Sequence, residues 1–237
     1  MLEVREIEKA YHHKTVLDKV SFTLDKGLCL GIAGHNGSGK STLLSIIARA
    51  LPPDKGDVFF DGENLSQKRD FASLILGYAP QEDSLLPDLT VKETLEFWQR
   101  VYGSRVKDIF EPSSPAVTLG LEPIQKKKVA ALSGGTRKRL SVAIALLRKP
   151  KLLLLDEALS SLDRHYKLAL KEYMSSFCRE GGSILYSGHD TTELISMCDR
   201  ILILRDGKKV FDDITGAFPT GKDELDRLLN PEAIGSD

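Results

Sequence analysis

Gly34-His35-Asn36-Gly37-Ser38-Gly39-Lys40-Ser41-Thr42 decides the fold of this 237-residue chain. The spacing is G-x-x-x-x-G-K-[ST], with Thr42 as a second hydroxyl. Each residue type has a physical task. The glycines let the backbone fold back with no Cβ in the way, so successive N–H groups can face phosphate oxygens. Lys40 reaches the β- and γ-phosphates of a nucleotide, and the Ser41 hydroxyl ligates Mg²⁺. A helix starting near Lys40 adds the positive end of its dipole. The flanks agree. Leu28 to Ala33 is a short apolar run, expected as a buried parallel strand. Thr42 to Leu51 is expected as a helix with Leu43, Ile46, Ile47 and Ala50 on one face, stopped by Pro52-Pro53.

Outward from the loop, Leu2 to Ile7 and Val20 to Leu24 alternate as strands do, and Val58-Phe59-Phe60 precedes an Asp61-Gly62 turn. Residues 1–80 thus form a β-rich front end. From 82 to 148 the character changes. Thr90 to Val101 is spaced as a helix at Val91, Thr94, Leu95 and Trp98. Gly, Pro and Ser interrupt residues 103–115, and Thr136 to Leu147 is amphipathic at Leu140, Ala143, Ile144 and Leu147. This stretch is expected to be a helical insertion. Leu152 to Leu155, four consecutive leucines, resume the core as a strand buried on both faces. Ile184-Leu185-Tyr186 and Ile201 to Leu204 repeat it, with helical segments between. Asp206-Gly207 starts a final hairpin, and one helix is expected from Asp223 to Leu229.

Composition narrows the function. Lys plus Arg number 33 and Asp plus Glu 34, a net charge of −1, which argues against nucleic-acid binding through bulk charge. Lys126-Lys127-Lys128 and Arg137-Lys138-Arg139 are expected to be solvated faces. Cys29, Cys178 and Cys198 lack metal-ligand spacing and read as reduced, mostly buried thiols of a cytosolic protein. No apolar run nears the roughly 20 residues of a membrane span, and the start of the chain is unlike a signal peptide. Any work at a membrane is expected to go through a partner.

Two more constellations carry chemistry. Asp156-Glu157 ends the leucine strand, where ligands bind in open α/β sheets. Asp156 is placed to hold Mg²⁺, and Glu157 to polarise an attacking water. Leu132-Ser133-Gly134-Gly135 precedes a helix, so its backbone N–H groups and the Ser133 hydroxyl offer a second anion site.

Together these motifs resemble the ATP-binding-cassette (ABC) family of transport ATPases. The resemblance covers nearly the whole chain, in the family's order of motifs. Leu132 to Thr136, LSGGT, is similar to the LSGGQ signature, with Thr136 in place of Gln. Tyr11 resembles the aromatic residue that stacks on adenine. Gln81, in Tyr78-Ala79-Pro80-Gln81, resembles the Q-loop residue that touches Mg²⁺ and the water and links core to helical insertion. Leu152 to Glu157 resembles the Walker B strand with its catalytic Glu, and Ser160-Ser161-Leu162-Asp163 the D-loop. His189, in Ser187-Gly188-His189-Asp190, resembles the His that contacts the γ-phosphate. Ala158 stands where many relatives have Pro. The basic run after the signature leans toward the export branches.

The resemblance implies an α/β fold: a P-loop NTPase (RecA-like) parallel-sheet core with an N-terminal antiparallel β subdomain and an inserted α-helical subdomain. The chain divides into core (1–81 and 149–215), helical signature subdomain (82–148) and tail (216–237). Glu157, His189 and Gln81 are the implied catalytic residues. Gly34 to Thr42, Tyr11, Ser133, Gly134, Gly135 and Asp163 would hold ATP, with Mg²⁺ on Ser41, Gln81 and Asp156. Two copies, or one copy with a similar partner subunit, would sandwich two ATP-Mg, on the cytoplasmic face of a membrane, and drive separate membrane-spanning subunits docked around Glu82 to Thr90. The alternative is a soluble ABC ATPase without a permease, such as the iron–sulfur assembly type. A DNA-repair relative would need a long coiled-coil insertion, and a translation-factor relative two cassettes.

Overall fold

Residues 1–82, 84–103, 108–215 and 222–229 are described by the computed structural model. A hairpin of Leu2–Tyr11 (β1) and Lys14–Leu24 (β2) opens the chain, and Cys29–Ala33 (β3) leads through the phosphate loop into Lys40–Ile47 (α1). Lys55–Phe60 (β4) and Glu63–Asn64 (β5) complete a four-stranded antiparallel sheet, ordered β2-β1-β4-β5. Arg69–Ile75 (α2) runs directly into Leu76–Ala79 (β6). The helical stretch contains Val91–Val101 (α3), Pro115–Thr118 (α4) and Gly134–Leu146 (α5). Leu152–Asp156 (β7), Arg164–Arg179 (α6), Ser183–Ser187 (β8), Thr191–Met197 (α7), Arg200–Arg205 (β9) and Lys208–Ile214 (β10) follow, then Lys222–Leu229 (α8).

The large sheet is ordered β10-β9-β3-β8-β7-β6. It is parallel from β9 to β6, and β10 folds back antiparallel on β9 at the Asp206-Gly207 turn. Strand alternation divides the core between its two faces. Leu30, Ile32, Leu152 and Leu154 join α1 and the small sheet in one apolar cluster. Leu153, Leu155, Ile184 and Tyr186 join α5 and α6 in the other. With both faces covered, the central strands carry consecutive buried apolar residues, as Leu152 to Leu155 and Ile201 to Leu204 do.

Local signals set the helix starts. Thr90 and Glu93 form a reciprocal capping box on α3. Ser133, Asp163 and Asp190 each accept a backbone N–H at the start of α5, α6 and α7.

Three expectations need correction. The first helix ends at Ile47, not Leu51, because Arg49 already adopts a left-handed conformation, φ 61°. Helix α2 lies inside the stretch read as β-rich. Helix α5 is not amphipathic: Leu140 to Leu147 are buried on every side, because β6 packs on one flank and α3 and α4 on others. Residues 82–148 contain no strand among the described residues, and the tail at 216–221 and 230–237 lies outside them.

Candidate active site

Strands β3, β6, β7 and β8 run parallel, so their carboxyl ends fall along one edge. Gly34 follows β3, Gln81 follows β6, Glu157 follows β7 and His189 follows β8. Residues spread over 155 sequence positions (189 − 34) therefore meet through sheet topology alone.

The phosphate loop is held shut around its own lysine. Lys40 is 5% exposed, and its Nζ donates to the Gly34 carbonyl at 2.8 Å and the His35 carbonyl at 3.1 Å. Burial pushes its pKa down, opposed by the carboxylates of Glu157 and Asp156. The loop tolerates no side chain at its ends. A Cβ on Gly34 would stand 2.4 Å from the Leu204 carbonyl oxygen, and a Cβ on Gly39, at φ 107°, would stand 2.8 Å from the Val16 carbonyl oxygen. His35 is exposed, with Nδ1 2.8 Å from the Asn36 carbonyl oxygen. Ser38 is buried, and its hydroxyl has no partner among the described residues.

A chain of side chains crosses from this loop to the other strand ends. The Ser41 hydroxyl donates to Gln81 Oε1 at 3.2 Å, and Gln81 Nε2 donates to Glu157 Oε2 at 3.4 Å. Glu157 Oε1 lies 3.9 Å from His189 Nδ1. Glu157 itself sits at φ 47°, a conformation that costs a non-glycine residue of order 1–3 kcal/mol. Its N–H donates to the Ser187 hydroxyl at 3.0 Å and the Ser187 carbonyl at 3.2 Å, which fix the turn.

Asp156 is 1% exposed. Its Oδ1 accepts from the Ser187 hydroxyl at 2.5 Å, whereas Oδ2 is buried with no donor among the described residues. A buried carboxylate oxygen without a donor suits a cation. The cleft lining supplies oxygen ligands: the Ser41 and Thr42 hydroxyls, the Gln81 amide and the Glu157 carboxylate. Mg²⁺ takes such a set, and it keeps waters and substrate phosphate rather than needing a full protein cage. No group of three or more His, Cys, Asp or Glu among the described residues could hold a metal ion.

The cleft at this edge has a volume of about 340 Å³ and is lined by Tyr11, Lys14, Lys40, Ser41, Gln81 and Glu157, among others. Tyr11, 44% exposed at the tip of the β1–β2 hairpin, presents its ring there with Lys9 Nζ 5.8 Å from the centroid.

Comparison with known proteins decides the family. The pattern of the ABC transporter family matches residues 17–160. The chain belongs to that family. Its fold is that of an ABC ATPase: a solved ATP-binding subunit of an ABC transporter, 27% identical, superposes with a TM-score of 0.87 over 97% of this chain and 99% of its own. An ATP-binding cassette solved as a dimer in a post-hydrolysis state, bound to ADP and Pi, is 25% identical, with a TM-score of 0.78 over 90% of this chain and 98% of its own. In sequence, the chain is 34% identical over 212 residues to Nod factor export ATP-binding protein I of Sinorhizobium fredii. That match covers 89% of this chain and 62% of the relative.

The cassette does not gather every expected residue into this cleft. Ser133, Gly134 and Gly135 do not line it. They open α5, where the Ser133 hydroxyl caps the Thr136 N–H at 3.3 Å. Thr136, in place of the signature Gln, holds the Ser133 hydroxyl at 2.9 Å and accepts from Arg139 at 3.0 Å. Asp163 is exposed and caps α6 through the Tyr166 N–H at 3.2 Å.

The expectation for the basic run is overturned. Lys126 to Lys128 are exposed as expected, but Arg137-Lys138-Arg139 turns inward. Arg137 donates to the Leu132 carbonyl, and Arg139 donates to the Leu119 carbonyl and stacks 3.7 Å from the Tyr166 ring centroid. Lys138 is 5% exposed. A run of basic residues conceals which members are buried, so the sequence offered no signal here.

Ser187 was also missed, although a hydroxyl ending an apolar strand was a visible mark. Ser187→Ala should leave Asp156 Oδ1 buried without its donor and cost about 1–3 kcal/mol of stability. Urea unfolding at neutral pH should show the midpoint fall with an unchanged slope.

Proposed function

We propose that this chain is the ATP-binding and ATP-hydrolysing subunit of an ABC transporter, working as a dimer around two ATP-Mg and driving separate membrane-spanning subunits. One observation carries this reading. The side-chain path Ser41–Gln81–Glu157–His189 joins a phosphate loop to a carboxylate placed to accept a proton. In this reading the Gly34 to Thr42 loop and Lys40 bind the phosphates of ATP. Ser41, Asp156 and Gln81 hold Mg²⁺, which when bound neutralises charge on the β- and γ-phosphates. Glu157 takes a proton from the attacking water, and His189 and Gln81 orient the γ-phosphate and that water. Tyr11 supports the adenine ring. Ser133, Gly134 and Gly135 serve the ATP of the partner copy, and the D-loop residue Asp163 sets the spacing between the two.

Partner docking is supported on the far side of Gln81. A groove of about 640 Å³ between α2, β6, α3 and α5 is lined by Leu85, Trp98, Tyr102, Ile144 and Arg148, among others. Leu86, Phe97 and Val101, their chain neighbours, are exposed apolar residues. These fit an apolar helix of a membrane-spanning subunit; Leu85 and Leu86 fall in the docking region expected at residues 82–90, and the other residues lie outside it. No helix among the described residues is long and apolar enough to cross a membrane. The export name of the relative supports outward transport, from the cytoplasmic face.

Purification of the tagged chain from gently solubilised native membranes tests the reading. An integral membrane protein with several apolar spans should copurify, and Leu85→Asp with Trp98→Ala should release it. Copurification only with soluble assembly proteins would replace the transporter by the permease-free alternative.

A further inference from the structure

The buried ammonium of Lys138 has a role that the cleft residues do not explain. Lys138 stands on α5, five residues beyond its Ser133 cap, or about 7–8 Å along the helix axis. Its Nζ donates to the Pro80 carbonyl at 2.6 Å and to the Gln81 carbonyl at 2.7 Å. Gln81 is therefore gripped from two directions. Its backbone is fixed to α5, while its side-chain amide spans Ser41 and Glu157 in the cleft. The signature residues that start α5 and the backbone that carries Gln81 are parts of one packed unit. The helix is rigid where it matters, because Leu140 to Leu147 are buried on all sides.

We propose that Lys138 is a positioning residue: its clamp on the Pro80 and Gln81 carbonyls sets the Gln81 amide against Ser41 and Glu157, so that the position of α5 controls Gln81 in the cleft. The ammonium is suited to this work. Its donors rotate freely and its charge strengthens both bonds to the carbonyl oxygens. A shift of α5, such as closure of a partner on Ser133 to Gly135, would pull the loop carbonyls with it and move the amide relative to Ser41. One cleft would thereby respond to the state of the other. The proposal rests on the reading of Gln81 as a contact of Mg²⁺ and the attacking water.

A double-mutant cycle on ATP turnover tests it, with Lys138→Met, Gln81→Ala and their combination in the full chain. Lys138→Met should raise the Mg²⁺ concentration for half-maximal rate and lower kcat, each by about tenfold or more, as loss of a support behind a metal contact does. ATP affinity without Mg²⁺ should stay unchanged, since Lys138 does not line the cleft. The combination should be no slower than Gln81→Ala alone, because both changes act on one step. Lys138→Arg should recover most of the rate. Lys138→Gln keeps a neutral donor and carries the same cycle if the Met variant does not fold. Losses that multiply in the combination, or a Lys138→Met enzyme with unaltered Mg²⁺ dependence, would overturn the inference and leave Lys138 a packing residue. Wild-type turnover by Gln81→Ala would instead overturn the reading of Gln81 beneath it.

Discussion

Glu157→Gln should bind ATP-Mg normally and lose hydrolysis by about 10²–10⁴ in kcat, the usual worth of a positioned general base. The geometry isolates the effect. Gln keeps the shape of the side chain, and the Gln81 amide, now 3.4 Å from Oε2, can still bond to the new amide oxygen. The turn is set by the Glu157 N–H on Ser187, which the substitution does not touch. Lys40, Ser41 and Asp156 are unchanged, so phosphate and Mg²⁺ contacts persist. The carboxylate's ability to accept a proton is what disappears. Calorimetry should therefore give an ATP-Mg affinity near wild type while phosphate release falls. Turnover within a few-fold of wild type would show that another group accepts the proton, and His189, 3.9 Å away, would be the first to examine.

What the sequence made legible follows from how local each signal is. The phosphate loop and the leucine strand depend on neighbours a few residues apart, and both were readable. Gly34, Gln81, Glu157 and His189 were readable as members of one site only through the family's motif order. The contact between them comes from parallel strand order, which no local pattern encodes. The misreadings share a cause. Helix α5 was read as amphipathic and its basic run as solvated because periodicity assumes one covered face. Its neighbours β6, α3 and α4 end 55, 33 and 16 positions before it (134 − 79, 134 − 101 and 134 − 118), and they cover the others. Lys138 was buried by that packing and found its acceptors on residues 80 and 81. Ser187 acts through Asp156 and Glu157, thirty-one and thirty positions away.

The structure also determines which variant can test assembly. With hydrolysis blocked by Glu157→Gln, bound ATP-Mg should hold two copies together, its γ-phosphate lying between Lys40 of one and the start of α5 of the other. That helix start is exposed at Ser133 and Gly134 and lies outside its own cleft. The N–H groups of Gly134 and Gly135 come before the Arg137 N–H, the donor of the bond to the Ser133 carbonyl, so they have no intrahelical acceptor and can meet an anion. An acidic residue there should repel the phosphate, but its position matters. At Gly135 a Cβ would stand 2.4 Å from the Ser161 carbonyl oxygen, so Gly135→Asp would break the packing of α5 against the D-loop. At Gly134 a Cβ meets nothing within 4 Å. Gly134→Asp should even favour the isolated helix, since a carboxylate in the first turn is worth about 0.3–1 kcal/mol. It should keep the fold and its own ATP site while placing a negative charge where the partner's γ-phosphate must approach. Light scattering should show Glu157→Gln passing from monomer to dimer with ATP-Mg and not with ADP. The Gly134→Asp/Glu157→Gln protein should bind ATP equally well and remain monomeric. Equal dimerisation by the two proteins would remove the signature from the shared site and leave Ser133 a helix cap alone.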